Sequence, residues 1–324
     1  MTELSVVVPV YGCGDCLRAL HKRLVAAVET VTDSYELILV DDRSEDGAWE
    51  VLEALVAENP AVTAIRLSRN FGQHAAITAG LAHAGGRWTV VMDCDLQEPP
   101  EEIPRLYEKA REGYDVVFTV RSARRDSRFR RLAGSIYFRA RSFFVRTRTG
   151  TRHGTLSILS RKVVVAFLRL RDRDREYLIS VDWLGFRTAT IEFEHAERFS
   201  GRSSYDWHRL ARVAVDGMFF QTTVLLRWIV LLGFAIVLAG LGLAGFYLAS
   251  YFVSEPPSGY TSIAVLLLVL SGAVISSLGV IGLYVGKTFE QVKERPLYVV
   301  DELYGPAELR AGEVEPRVEV GDPQ

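Results

Sequence analysis

The hydrophobic positions of the first 120 residues fall into short β-branched runs that alternate with longer stretches of helical periodicity. The short runs predict strands at 4–10, 36–40, 62–67, 88–92 and 116–120. The longer stretches predict helices around 16–30, 47–58, 72–84 and 101–112. This alternation is typical of an α/β fold in which helices cover a mostly parallel sheet.

Polar residues follow the ends of four predicted strands, in segments 9–11, 41–42, 68–72 and 93–95. Open α/β sheets bind ligands at the carboxyl ends of their strands, so we expect these segments to meet at one edge. Asp93 and Asp95 place two carboxylates one residue apart, and Gln97 adds an amide oxygen. Such oxygen ligands suit Mg²⁺ or Mn²⁺, usually completed by substrate phosphates.

A dinucleotide-binding fold is the first alternative, because the segment 12–17 (GCGDCL) begins like the glycine fingerprint of that fold. The third glycine is replaced by Leu17, and Pro9 stands at the end of the preceding strand. Both departures disfavour NAD binding.

The cysteines, Cys13, Cys16 and Cys94, are too few for a disulfide framework. Cys13 and Cys16 also lack the second pair that a zinc site would need. The sequence therefore predicts reduced thiols.

Two long uncharged stretches mark the C-terminal half, at 228–253 and 256–286, the second apolar from about residue 263. Each exceeds the roughly 20 residues that cross a bilayer. They predict a transmembrane hairpin at 225–287, with spans at about 228–253 and 263–286. Lys and Arg flank the hairpin and are missing from its connecting loop, which predicts that both termini are cytoplasmic.

Basic and amphipathic segments precede the hairpin. Residues 121–148 carry ten Arg and one acid, Asp126, and residues 127–147 interleave aromatic side chains with arginines. We interpret 127–147 and 204–224 as helices lying on an anionic membrane surface. Solvated helices packed on the sheet are the alternative, and no nucleic-acid-binding motif accompanies the arginines. Residues 1–203 are then expected to form the α/β domain, and residues 288–324 a cytoplasmic tail with a disordered end.

Several motifs occur together and in order along residues 4 to 300. They are VPVY at 8–11, VDDRS at 40–44, LSRNFG at 67–72, DCDLQ at 93–97 and the membrane hairpin. In this combination the chain resembles the inverting family 2 glycosyltransferases that load polyprenyl phosphate, such as dolichol-phosphate mannosyltransferases and bactoprenol glucosyltransferases. The resemblance implies a GT-A, Rossmann-like catalytic domain.

The resemblance also implies roles for individual residues. Residues implied to bind the nucleotide sugar are Pro9, Tyr11, Asp41, Asp42, Asn70, Gly72 and Asp93. Asp95 and Gln97 are implied metal ligands, and Arg198 is implied to clamp the diphosphate from a mobile loop. Asp93, Asp95 and Arg198 are the implied catalytic residues. The lipid phosphate would be bound by Arg121, Arg131 and Ser135. For Asp41 a turn or helix cap is the alternative, and for Asn70 and Gly72 the shaping of a tight loop.

Two segments depart from the family pattern. The Asn-Glu pair usual after the first Tyr is replaced by residues 12–15 (GCGD). The acidic residue proposed as general base in relatives is replaced by Thr155. A phosphate monoester is largely dianionic at neutral pH, so such an acceptor needs little proton abstraction.

The expected function is therefore inverting transfer of a sugar from a nucleotide sugar to polyprenyl phosphate, with Mg²⁺ or Mn²⁺, at the cytoplasmic face of a bacterial inner membrane. Expected partners are the two substrates, the membrane, a separate flippase and further copies of the chain. Another lipid acceptor, such as a glycolipid hydroxyl, and a non-catalytic membrane scaffold are the alternatives.

Overall fold

The structure is a computed structural model that describes residues 2–121, 153–170, 172, 175–193, 235, 242 and 260–306. The strands are β1 (Leu4–Val10), β2 (Tyr35–Asp41), β3 (Val62–Leu67), β4 (Trp88–Val91), β5 (Val116–Arg121), β6 (His153–Ser160), β7 (Thr188–Phe193) and β8 (Val300–Tyr304). The α-helices are α1 (Leu17–Glu29), α2 (Ala48–Glu58), α3 (Gln73–His83), α4 (Ile103–Arg111), α5 (Arg161–Leu168), α6 (Tyr177–Trp183) and α7 (Tyr260–Val292). Short 3₁₀ turns precede α1 and α4 at Gly14–Cys16 and Pro100–Glu102.

The strands form one sheet in the order β7-β5-β6-β4-β1-β2-β3-β8. β1 lies between β2 and β4 and runs parallel to both. β6 is antiparallel to β4 and β5, and β8 is antiparallel to β3. The predicted α/β architecture is present, with all five predicted strands, and the additional strands make the sheet mixed.

Buried side chains cover both faces of this sheet. Successive side chains of a strand point to opposite faces, so Val6 and Val8 of β1 join one hydrophobic cluster while Val7 joins the other. The first cluster receives α1, α2 and α4, and the second receives α3, α5 and α6. Each large aliphatic side chain buried there contributes about 1.5–3 kcal/mol relative to exposure.

Helix α3 lies unusually close to the sheet because Gly80 has no side chain. A Cβ at Gly80 would lie 2.3 Å from Cγ1 of Val7, so even alanine would displace the helix. The close approach holds α3 against β1 and β2, with its first turn at the edge where those strands end.

The C-terminal segment contributes to the same sheet. The sequence analysis placed residues 288–324 in a tail, whereas β8 pairs with β3 at the sheet edge. Arg43 donates to Asp301 (2.6 Å), and the N–H of Ser68 donates to the carbonyl oxygen of Val299 (2.9 Å). Residues 299–304 therefore support the loops that follow β2 and β3.

Residues 260–294 belong to a second compact unit, in which the structure describes helix α7. Across the described ranges, no helix combines the length and the hydropathy required of a bilayer span. The predicted helices at 127–147 and 204–224, almost all of the first predicted span, and residues 307–324 lie outside the described residues.

Candidate active site

The carboxyl ends of β1, β2 and β4 bring several of the predicted polar residues to one edge of the sheet. Asp42 directly follows β2, and its two oxygens accept the backbone N–H groups of Phe71 (2.7 Å) and Gly72 (2.8 Å). Gly72 has a φ of +94°, a conformation that side-chain-bearing residues rarely adopt. Through these hydrogen bonds Asp42 links the end of β2 to the turn at which α3 begins.

Asp42 is almost inaccessible to solvent, with 2% of its surface exposed. Burial raises the pKa of its carboxyl group, and the two backbone N–H donors oppose that rise by stabilising the charged form. Its neighbour Asp41 is fully buried, accepts the N–H of Ser44 (2.9 Å) and lies 3.5 Å from Nε of Arg66. These contacts give Asp41 the turn-capping geometry that the sequence left as an alternative.

Asp93 follows β4, and two side chains donate hydrogen bonds to its carboxylate. Nε2 of Gln73 donates to one carboxylate oxygen (2.5 Å), and the hydroxyl of Thr155 donates to the other (3.1 Å). Gln73 opens α3 and Thr155 lies on β6, so the carboxylate connects three elements of the fold. Thr155, which replaces the acid of the family pattern, is therefore part of this site.

Asp95 stands in a tight turn beside Asp93. Its side chain accepts the N–H of Gln97 (3.1 Å), and the intervening Leu96 is buried with a φ of +59°. In the described part of the chain, His, Cys, Asp and Glu form no cluster of three or more that could enclose an ion. One or two carboxylates at a strand end instead fit a hard cation whose remaining ligands are substrate phosphates and water.

Glu98 anchors the far side of this turn, a role that the sequence analysis missed. It is 2% exposed, and its Oε2 accepts the N–H of Leu156 on β6 (2.7 Å). A Cβ at Gly154 would lie 2.1 Å from Oε1 of Glu98, so glycine there leaves room for the carboxylate. Glu98 thus connects the turn that contains Asp95 to the strand that carries Thr155.

The other residues predicted to bind the nucleotide sugar occupy different environments. Pro9 is buried within β1 and paired in register with Val40. Tyr11 lies just beyond the strand with 57% of its surface exposed, which leaves its ring accessible for stacking. Asn70 is exposed in the loop before α3.

The prediction of three reduced thiols is not met, because a disulfide joins Cys13 to Cys94 with their Cα atoms 6.6 Å apart. The sequence did not indicate the pair, since the two cysteines are 81 positions apart in sequence, whereas β1 and β4 are neighbours in the sheet. Cys16 is a buried free thiol whose Sγ contacts the carbonyl oxygens of Cys13 (2.9 Å) and Cys94 (3.0 Å). Burial raises the pKa of the Cys16 thiol to about 11.

Arg131, Ser135 and Arg198 lie outside the described residues, and Arg121 is described only as the last residue of β5, paired in register with Phe193. Their predicted roles at the acceptor phosphate and the diphosphate stay predictions.

Cavities among the described residues lie at both ends of the sheet strands. One of about 220 Å³ adjoins the first turn of α3, where Gly72, Gln73, Arg175 and Leu297 contribute to its wall. Another, of about 700 Å³, lies at the opposite edge, where β1, β4 and β5 begin. The smaller cavity is on the same side of the sheet as the candidate carboxylates, since Gly72 and Gln73 in its wall donate hydrogen bonds to Asp42 and Asp93.

Comparison with known proteins agrees with this arrangement. Residues 5–167 match the family model Glycosyl transferase family 2. An undecaprenyl-phosphate 4-deoxy-4-formamido-L-arabinose transferase of Serratia proteamaculans is 37% identical over 312 residues, which cover 94% of each chain. The uncharacterized glycosyltransferase YkcC of Bacillus subtilis is 33% identical over 308 residues, again 94% of each chain.

Among solved structures, the mannosyltransferase PcManGT of Pyrobaculum calidifontis, in complex with GDP-Man and Mn²⁺, shares the fold. Its TM-score is 0.50 at 18% identity, over 85% of this chain and 87% of that one. The matching family model, the full-length relatives and the shared fold lead to one conclusion. The chain belongs to glycosyl transferase family 2 and is a glycosyltransferase.

Proposed function

We propose that this glycosyltransferase transfers a sugar from a nucleotide-sugar donor to polyprenyl phosphate, with inversion at the anomeric carbon. The observation that carries the proposal is the similarity to an undecaprenyl-phosphate sugar transferase along 94% of the chain. Such coverage includes the C-terminal hydrophobic region as well as the catalytic sheet.

The donor side of the proposal rests on the residues at the carboxyl edge of the sheet. Tyr11 offers an exposed ring to the base, and Asp42 supports the loop that contains Asn70. Asp93 is placed next to these segments through its contact with Gln73. A nucleotide spread along this edge would direct its diphosphate toward Asp93 and Asp95.

Asp95 and Gln97 are the residues that would hold a divalent cation, Mg²⁺ or Mn²⁺. The chemistry that a bound cation supplies is stabilisation of negative charge on the departing nucleoside diphosphate. PcManGT, which shares the fold, was solved with Mn²⁺ and GDP-Man, which supports a metal-dependent donor site of this kind.

The neutral residue at position 155 favours a phosphate group as the acceptor. Its hydroxyl donates to Asp93, so the position that would carry a general base instead holds a neutral residue. A lipid phosphate attacks the anomeric carbon as a dianion and needs no base at neutral pH. Catalysis then depends on aligning the phosphate oxygen opposite the leaving diphosphate and on stabilising the charge that leaves.

The membrane part of the proposal is carried by sequence. We propose that residues 225–287 form a hairpin with spans at about 228–253 and 263–286, the second within helix α7. Arg121, Arg131 and Ser135 would then bind the lipid phosphate at the cytoplasmic surface, and Arg198 the diphosphate. A flippase and self-association through the hairpin complete the proposed partners.

The test is a transfer assay with the full-length chain in detergent or membranes. Labelled UDP-, GDP- and dTDP-sugars are offered with undecaprenyl phosphate and either Mg²⁺ or Mn²⁺. We expect one donor to give a lipid-linked monophosphate sugar that mild acid releases. Asp95→Ala should abolish the product, whereas Asp33→Ala, an exposed acid before β2, should not.

Failure of transfer to the phosphate, together with an acid-stable glycolipid product, would overturn the proposed acceptor. Unchanged cellular function of the Asp95→Ala variant would overturn catalysis itself and favour a scaffold.

A further inference from the structure

We propose that Cys13 and Cys94 are a site of reversible thiol oxidation whose disulfide holds the metal-binding turn in place. Cys94 stands between Asp93 and Asp95, and Cys13 follows the exposed Tyr11 and Gly12 after β1. The bond therefore joins the segment after β1, which is proposed to contact the nucleotide through Tyr11, to the turn that would hold the cation. The link to metal binding rests on the proposed function.

The disulfide lies where pairing of the strands has ended. Backbone pairing of β1 with β4 extends to Val7 and Val91, and the N–H of Met92 still donates to the carbonyl oxygen of Val7 (3.2 Å). Two residues further along, the chain reaches Cys94 and its bond to Cys13. The covalent link thus continues the connection between the two strands into the loops that carry the chemistry.

The sulfur atoms support the turn from its buried side. Cys94 is 8% exposed and belongs to the hydrophobic cluster that receives α1, with Cys13 packed against that cluster. The disulfide can therefore fix the backbone between the two aspartates from the side of the hydrophobic core. When residues that contact and orient metal ligands are mutated, metal affinity commonly falls by about 10–100-fold.

Cys13 is the accessible end of the bond, since it is only half-buried. A thiolate of a small or protein dithiol attacks its Sγ, the bond to Cys94 breaks, and a mixed disulfide forms. The second thiol of the reagent resolves that intermediate. Two electrons and two protons pass from the dithiol to the cysteines, which leaves two protein thiols and an oxidised reagent. A disulfide of the same class reverses the exchange.

The first experiment counts thiols in the full-length chain, by alkylation under denaturing conditions and mass spectrometry. Before reduction we expect one alkylated cysteine, Cys16, and after dithiothreitol all three. Cys13→Ser should lose the change, while Cys16→Ser should keep it, because a serine hydroxyl can donate its one hydrogen to either of the two carbonyl oxygens that Cys16 contacts. Three free thiols both as purified and after treatment with oxidised glutathione would overturn the proposal.

The second experiment measures hydrogen exchange, which needs no ligand. Reduction should accelerate exchange in peptides covering 92–98 and leave those covering β2 and β3 unchanged. Equal rates at 92–98 in the two redox states would show that the bond does not hold the turn, and would overturn that part of the proposal.

The third experiment titrates Mn²⁺ with UDP, GDP or dTDP in both redox states. We expect reduction to weaken binding of the effective pair about tenfold. Equal affinity in the two states would refute the coupling. Should none of the nucleotides bind even with the disulfide intact, the proposed function fails, while thiol counting and hydrogen exchange still decide the redox site.

Discussion

Asp42 and Asp93 are both acids placed just after a strand that flanks β1, yet the fold surrounds them differently. Asp42 is buried, and both of its oxygens accept backbone N–H groups, which cannot turn away. Asp93 is only half-buried, and its carboxylate accepts hydrogen bonds from the side chains of Gln73 and Thr155, which can rotate. The comparison separates a carboxylate that maintains the shape of the site from one that can exchange its partners for a ligand.

The largest effect is expected from Asp95→Asn, because Asp95, like Asp93, is an acid proposed to bind a ligand. The substitution removes the negative charge proposed to attract the cation and keeps the size of the side chain. We expect sugar transfer to fall about 100-fold or more, with little change in unfolding. Initial rates at saturating donor measure it, with Asp33→Asn as the matched control. Activity within a few-fold of the parent would rule out Asp95 as a metal ligand.

Asp42→Asn should instead reduce stability. The amide of Asn would direct N–H hydrogens at the N–H of Phe71 or of Gly72, and leave one buried donor without an acceptor. We expect the free energy of unfolding to fall by about 2 kcal/mol. Urea unfolding followed by tryptophan fluorescence measures the loss, and Glu45→Gln on the exposed loop nearby is the control. An unchanged midpoint would mean that the loop does not depend on these hydrogen bonds.

Thr155→Asp would restore the acid of the family pattern and should nevertheless impair the enzyme. The substitution removes the hydrogen bond that the Thr155 hydroxyl donates to Asp93. It also places a second carboxylate within about 3 Å of Asp93, and repulsion between the two charges raises the pKa of one of them. We expect activity to fall about tenfold, which is about 1.4 kcal/mol in barrier height. The neutral Thr155→Asn variant should retain more activity, and a gain of activity in Thr155→Asp would show that a general base is needed.

The smallest effect is expected on the stability of the Asp93→Asn variant. Gln73 can turn its amide to present the oxygen, and the Thr155 hydroxyl can rotate, so each contact can be remade. We expect the free energy of unfolding to change by less than about 0.5 kcal/mol. The same urea measurement compares this variant with Asp42→Asn. Equal losses in the free energy of unfolding would show that Asp42 and Asp93 contribute equally to stability.

Local pattern predicted the elements of the first 120 residues because each is encoded by adjacent side chains. β1 to β5 and α1 to α4 follow from the alternation of β-branched runs with amphipathic stretches. β8 could not be predicted in this way, since it pairs with β3 across more than 200 residues of intervening sequence. An isolated run of five residues carries no signal of its partner.

The candidate site shows the same limit. Asp93, Asp95 and Gln97 could be selected from sequence because they follow a hydrophobic run in a recognisable spacing. Glu98 and Gln73 could not, because their importance comes from contacts with Leu156 and Asp93 that join distant segments. The bond between Cys13 and Cys94 is of the same kind.

By itself, the sequence determined the alternation of strands and helices, the carboxylates at the ends of strands and two long uncharged stretches, since all are properties of neighbouring residues. The tertiary structure alone decided which carboxylate is buried on backbone donors, which faces rotatable side chains and which cysteines pair. Those outcomes depend on distances between segments far apart in the chain, and the packing of helices on the sheet sets those distances.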